Sequence, residues 1–199
     1  MRFKLTPRLI AAVFVIASSL PVHSQAVPAA RQGGLPIVVG AALSNYSIDW
    51  GPGQRMFGIS AWADWLPNGL PGHLHGLGIE ATGRAIDFDR KVPRMRQDTI
   101  LGGPMYAWNP YHGFRPYVRF GIGIGSIDFP PPAQFPYYSH DTFLVSAPGG
   151  GAEYHLWQHL WVRGDYEYQF WHQTFGPNDL TPQGFTIGAS YDFRQLPPQ

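Results

Sequence analysis

Residues 149–171 read GGGAEYHLWQHLWVRGDYEYQFW. The run consists of two extended segments joined by a tight reversal near residues 156–159. In the second segment Arg163, Asp165, Glu167 and Gln169 share one face, while Val162, Gly164, Tyr166, Tyr168 and Phe170 share the other. A period of two is the side-chain period of a β-strand. One face is ionic, the other aromatic and apolar, and the rest of the chain repeats this arrangement.

Outward from that hairpin, about eight extended segments are separated by clusters of Pro, Gly, Asn and Asp. They cover residues 37–49, 55–65, 76–88, 98–108, 115–129, 142–155, 160–171 and 184–193. Phe57, Ile59, Ala61, Ala63 and Trp65 oppose Ser60, Trp62 and Asp64. Leu77, Ile79, Ala81, Gly83 and Ala85 oppose Glu80, Thr82 and Arg84. Val118, Phe120, Ile122 and Ile124 alternate with Arg119, Gly121, Gly123 and Gly125. Phe185, Ile187, Ala189, Tyr191 and Phe193 oppose Thr186, Gly188, Ser190 and Asp192. Gly149, Gly150 and Gly151 read as a bulge or bend. Residues 89–97, 130–140 and 174–182 read as loops. No segment has a 3.6-residue period, so almost no helix is expected after residue 26.

The chain has 199 residues, enough for one domain with a sizeable core. Charged residues make up 14%, against about 25% in a typical soluble domain. There is no Cys, hence no disulfide framework and no thiolate metal site. Residues 1–26 read as a secretory signal peptide: Arg2, Lys4 and Arg8 precede the apolar run at 9–20, and Ser24-Gln25-Ala26 forms a small-x-small cleavage site. Removing them leaves 11 cations and 13 acids, a net charge of −2. That balance excludes a strongly basic nucleic-acid binder. Residues 27–36 form a lead-in, 37–193 the β-domain and 194–199 a polar tail.

Alternation alone does not say which face meets the core, since a soluble β-barrel shows the same period with polarity reversed in space. Three features point to an apolar exterior in lipid. The polar faces carry Gly, Ser and opposite charges, and only one Lys, Lys91, remains after the signal. Aromatic residues crowd the segment ends: Trp50, Trp65, Phe88, Trp108, Tyr111, Phe129, Tyr137, Tyr138, Trp157, Trp161 and Trp171. Membrane barrels place such girdles at both interfaces. Finally, longer connections follow the third, fifth and seventh segments and shorter ones the second, fourth and sixth, and the segments match the length of tilted membrane strands. The fold expected is an all-β, eight-stranded antiparallel up-and-down transmembrane β-barrel, with both termini on the periplasmic side.

The stretch 149–171, with its Gly-rich strand, tight turn and charged-aromatic strand, resembles the small outer-membrane β-barrels that include the OmpA transmembrane domain and OmpX-like proteins. GFTIGASYDF at 184–193 resembles their closing strand, which ends in an aromatic residue. The resemblance covers about residues 35–193. One departure is that six residues follow Phe193. The resemblance implies residence in the cell outer membrane, with membrane lipids and lipopolysaccharide as surroundings. It also implies the barrel-assembly machinery as a partner in biogenesis. No cofactor and no nucleic acid are implied, and no surface partner is named.

By parity Glu80, Arg84, Arg119, Glu153, Arg163, Asp165 and Glu167 face inward. Opposite charges in a narrow lumen should pair, as a structural plug or as the lining of a selective pore; eight strands leave an interior that side chains just fill. Arg90, Lys91, Arg94 and Arg96 in the segment 89–97 could contact anionic head groups by charge-assisted hydrogen bonds. His73 and His75, and His155 and His159, have spacings a metal could use, but fall at turns without a third ligand, so no metal site is expected. Ser and His are present, but no segment brings them together as a catalytic pair on the barrel surface, and no enzyme activity is expected. The function expected is structural or surface-interacting, with a plugged lumen. The alternatives are a narrow passive porin-like channel and a secreted soluble β-barrel binding a small apolar ligand.

Overall fold

The computed structural model describes residues 35–47, 49, 55–67, 69–88, 95–128, 140–175 and 178–194. All belong to one compact unit, Gly34–Gln199. The signal segment 1–26, most of the lead-in and residues 195–199 lie outside the described residues.

Ten strands are present: β1 (Ile37–Ser47), β2 (Arg55–Trp65), β3 (Leu77–Phe88), β4 (Arg96–Ala107), β5 (Phe114–Asp128), β6 (His140–Trp157), β7 (Leu160–Tyr168), β8 (Phe170–Phe175), β9 (Asn178–Leu180) and β10 (Gln183–Asp192). Each of β1 to β7 pairs antiparallel with its sequence neighbour, β10 pairs with β7, and β1 pairs with β10 to close the ring. β8 continues the line of β7 against β6, and β9 pairs with β8 ahead of β10. The ring therefore has eight staves. Closure pairs every edge, which is what permits strands to cross hydrocarbon. The only helical element among the described residues is a 3-10 turn, Gly72–Leu74.

Burial follows parity along the staves, with Asn45 of β1 buried out of turn between Ser44 and Tyr46. In β2 the pattern alternates without exception: Met56, Ser60, Trp62 and Asp64 are buried, while Phe57 and Ile59 are exposed. Leu43 and Ile100 are each 68% exposed. A continuous wall of Ile, Leu, Val and Phe is far larger than the apolar patches soluble monomers expose, and it belongs against lipid. The interior is the converse. It is charged in the middle and closed at each end by apolar side chains: Val38, Leu66, Met105, Ala107 and Tyr117 at the end holding the chain termini, and a larger group including Met56, Met95, Ile127, Val145 and Trp171 at the other. Spin labels at positions 118, 120, 122 and 124 are therefore expected to collide with oxygen dissolved in the bilayer, and labels at 119, 121 and 123 are not. Equal accessibility on both faces would refute this register.

Several local expectations are corrected. Gly149–Gly151 is not a bulge, because the ladder runs through it on both sides. A side chain on Gly149 would come within 3.3 Å of Arg119 Nε, so the glycine there leaves room for the guanidinium. The register shifts instead at Phe57/Gly58 and His155/Trp157. β4 begins at Arg96 and not after a loop ending at residue 97, because Gln97 turns inward and donates to Gln169 (3.0 Å). The segment 174–182, expected as a plain loop, includes the end of β8 and all of β9, Asn178–Leu180, with Phe175 paired to Asn178. The connection 66–76, expected to be short, is longer than the connection 89–95. Trp65, Trp108, Tyr111 and Trp157 are exposed around the terminal end, as a girdle requires, but Trp161 and Trp171 are buried in the lumen, since their parity is that of Arg163 and Gln169. Trp50, Phe129, Tyr137 and Tyr138 lie outside the described residues.

Candidate functional site

The middle of the barrel is an ion network built by inward parity on six staves. Asp64 and Glu80 oppose each other on the β2–β3 ladder. Arg163, reaching in from β7, bridges them at 3.2 Å and 2.5 Å and lies 3.4 Å from Asp165. Its guanidinium is held between the rings of Trp62 (4.6 Å) and Tyr117 (4.2 Å), and its Nε donates to the Tyr117 hydroxyl (2.6 Å). Planar stacking of this kind, with a fork of donors, suits Arg and not Lys.

Glu167 is the second centre. It accepts from Arg84 (2.6 Å), Arg119 (2.8 Å), the Tyr46 hydroxyl (3.1 Å) and Gln169 (2.7 Å). Arg119 also pairs with Glu80 and with Asp165 (3.0 Å), joining the two centres. Arg84 stacks on Tyr46 at 4.4 Å. Toward the terminal end Arg115 pairs with Glu153, stacks on Trp161 (4.4 Å) and stands 3.8 Å from Asp192. Arg194 reaches Asp192 at the rim (2.5 Å). Side chains of this network are at most 7% exposed, apart from Arg194. Free space beside Glu80, Arg119 and Glu167 is about 10 Å³, room for one water.

All seven lumen residues named from parity, Glu80, Arg84, Arg119, Glu153, Arg163, Asp165 and Glu167, are thus in one network. Asp64, Arg115 and Asp192 belong to it too. They stand on the same inward parity, so alternation alone could have included them. Of the cationic segment, Arg96 is at the start of β4 and pairs with Asp98 (2.7 Å) on the exposed surface. Arg90, Lys91 and Arg94 lie outside the described residues. His73 and His75 sit at the 3-10 turn, where His75 Nδ1 is 3.2 Å from the Leu70 carbonyl. At the β6–β7 turn the His155 ring packs on Trp161 (4.8 Å) and the His159 ring near Tyr191 (5.4 Å). A second polar feature, unseen in the sequence, is on the outside: Ser146 on β6 and His172 on β8 are joined by a hydrogen bond of 3.2 Å.

An inside-out barrel with a charged interior has a counterpart among known families. The sequence pattern of the outer membrane protein beta-barrel domain matches residues 10–193. The chain belongs to this family. Its place is the cell outer membrane. No curated protein matches the outer-membrane barrel in sequence. Solved structures share its fold, three of them as follows. Neisserial surface protein A is 15% identical, with a TM-score of 0.54 over 79% of this chain and 96% of that one. Ail, the attachment invasion locus protein of Yersinia pestis, is 17% identical, with a TM-score of 0.51 over 82% and 97%. The outer membrane enzyme PagL is 11% identical, with a TM-score of 0.51 over 78% and 99%. Identities this low speak for the fold alone, and the fold carries surface proteins and an enzyme alike.

Proposed function

We propose that this outer-membrane barrel is a structural and surface-interaction protein whose lumen is closed by its ion network and does not conduct solutes. The observation carrying the reading is the chain of pairs Asp64–Arg163–Glu80–Arg119–Glu167–Arg84, which links four staves across the lumen and leaves room for about one water beside it. A selective pore needs charged groups with a free face toward a hydrated path. Here the guanidinium and carboxylate groups face one another, and apolar layers lie above and below them. The surface half of the proposal is drawn by analogy from Ail, named for attachment and invasion. We assign anionic lipid head groups, those of lipopolysaccharide among them, as the partner of the cationic segment at 89–97, on its density of Arg and Lys.

Planar-bilayer recording tests the closed lumen. The unmodified barrel is expected to give no steady conductance, and Arg119→Ala, which removes the pairs to Glu80, Asp165 and Glu167 together, to introduce brief, irregular leaks. A stable, charge-selective conductance from the unmodified protein would replace this reading with the passive channel.

A further inference from the structure

Ser146 and His172 stand on the lipid-facing wall. Their strand neighbours Val145, Ala147 and Trp171 are buried in the lumen, so the intervening positions point outward. Ser146 is opposite Ile122 of β5 and Phe170 of β8. Along β6 the outward apolar series extends from Tyr154 to Leu144, a span of about ten residues and hence one hydrocarbon thickness for a tilted strand. On β5 the outward series turns from Ile124 to the polar Ser126 and Asp128. The pair therefore lies one outward position inside the end of the apolar series on the side of the β8–β9 hairpin, in the acyl-chain region of that leaflet and below its esters.

The wall is irregular at this point. Between Gly149↔Glu167 and Ser146↔Phe170 the ladder has no rungs. Pro148 has no N–H, and the Gln169 N–H turns away to the Pro182 carbonyl (2.8 Å). Ladder breaks of this kind re-aim side chains, and here the break leaves Ser146 Oγ 3.2 Å from His172 Nε2. A serine hydroxyl becomes a competent nucleophile when a neighbouring base takes its proton during attack, and imidazole within hydrogen-bond reach is such a base.

We propose that Ser146 and His172 form a nucleophile–base pair that cleaves acyl esters of membrane lipids in the adjoining leaflet. Ser146 Oγ attacks the ester carbonyl carbon while His172 Nε2 takes the hydroxyl proton. The bond to the lipid alcohol breaks, the proton passes from His172 to the departing oxygen, and the acyl group stays on Ser146. Water then attacks that acyl carbon and gives a proton to His172. The Ser146 ester bond breaks, the fatty acid leaves, and His172 returns the proton to Ser146 Oγ. Leu144, Ile122 and Phe170 around the pair give the acyl chain an apolar floor. The inference rests on the membrane position of the barrel and is independent of whether the lumen conducts.

The test uses the full chain refolded either in diacyl phospholipid vesicles or in purified lipopolysaccharide, with released fatty acid followed by mass spectrometry. Release above the protein-free background is expected from one of the two, which names the lipid. It should fall at least about 100-fold in Ser146→Ala and in His172→Gln, each first confirmed as folded by its heat-modifiable gel mobility. The glutamine variant keeps a polar partner for Ser146 but no base, so a merely structural pair would tolerate it. A serine-directed fluorophosphonate on the unmodified protein gives a reading that needs no variant: modification at Ser146 supports the pair, and an unmodified Ser146 counts against it. No release from either lipid, or release undiminished in Ser146→Ala, overturns the proposal and leaves a polar contact between strands.

Discussion

Replacing Arg163 by Ala is expected to cost the barrel about 3–5 kcal/mol, the range for removing one partner of a buried ion pair. Arg163 bridges Asp64 and Glu80, which face each other across one rung, and it also approaches Asp165. Its side chain is 1% exposed, so the carboxylates it leaves behind have no water to turn to. Deleting Arg163 therefore removes attraction and at the same time exposes a repulsion between two acids. Urea unfolding in detergent or vesicles, followed by tryptophan fluorescence, measures the loss. Adding Asp64→Asn and Glu80→Gln to Arg163→Met should recover much of it, because a buried network replaced as a whole is often close to neutral. A loss under about 1 kcal/mol for Arg163→Ala would show the network to be hydrated, like a set of surface pairs, and would weaken the case for a closed lumen.

Replacing Ile122 by Arg is the second large effect, and it acts from the other face. Ile122 is 53% exposed and stands between Phe120 and Ile124 in the apolar wall. If that wall lies in lipid, the guanidinium costs about 2–4 kcal/mol near the midplane and about 0–1 near an interface. Leu156→Arg, close to the β6–β7 turn, should accordingly be mild although Leu156 is equally exposed, at 55%. A water-facing wall would make both changes nearly neutral, within about 0.5 kcal/mol. Unfolding of the two variants in the same vesicles separates the cases: equal, small effects would take the wall out of the membrane.

The sequence by itself determined the architecture and the two chemically opposite faces. Side-chain direction in a strand depends only on position parity, so Arg163, Asp165, Glu167 and Gln169 share a face whatever the strand pairs with. The closed ring, the wall of Ile and Leu, and the inward placement of all seven charged residues follow from that local rule. Where a compositional signal was set above parity, it misled: Trp161 and Trp171 were counted as interface aromatics, yet they stand on the same side as Arg163 and Gln169 and fill the lumen.

What the tertiary structure decided is which inward groups meet, and where the outward ones sit in depth. Arg163 is bound to Asp64 and Glu80, 99 and 83 residues away, and those distances are set by the stagger of the staves around the whole ring, which no local pattern encodes. The apolar caps over the ion network depend likewise on side chains such as Leu66, Met95 and Leu180 folding in from the strand ends. Ser146 and His172 come together across β6 and β8 because the ladder breaks between Pro148 and Gln169. The period of two places a side chain on a face; only closure of the barrel, with its register and its interruptions, gives that side chain a neighbour.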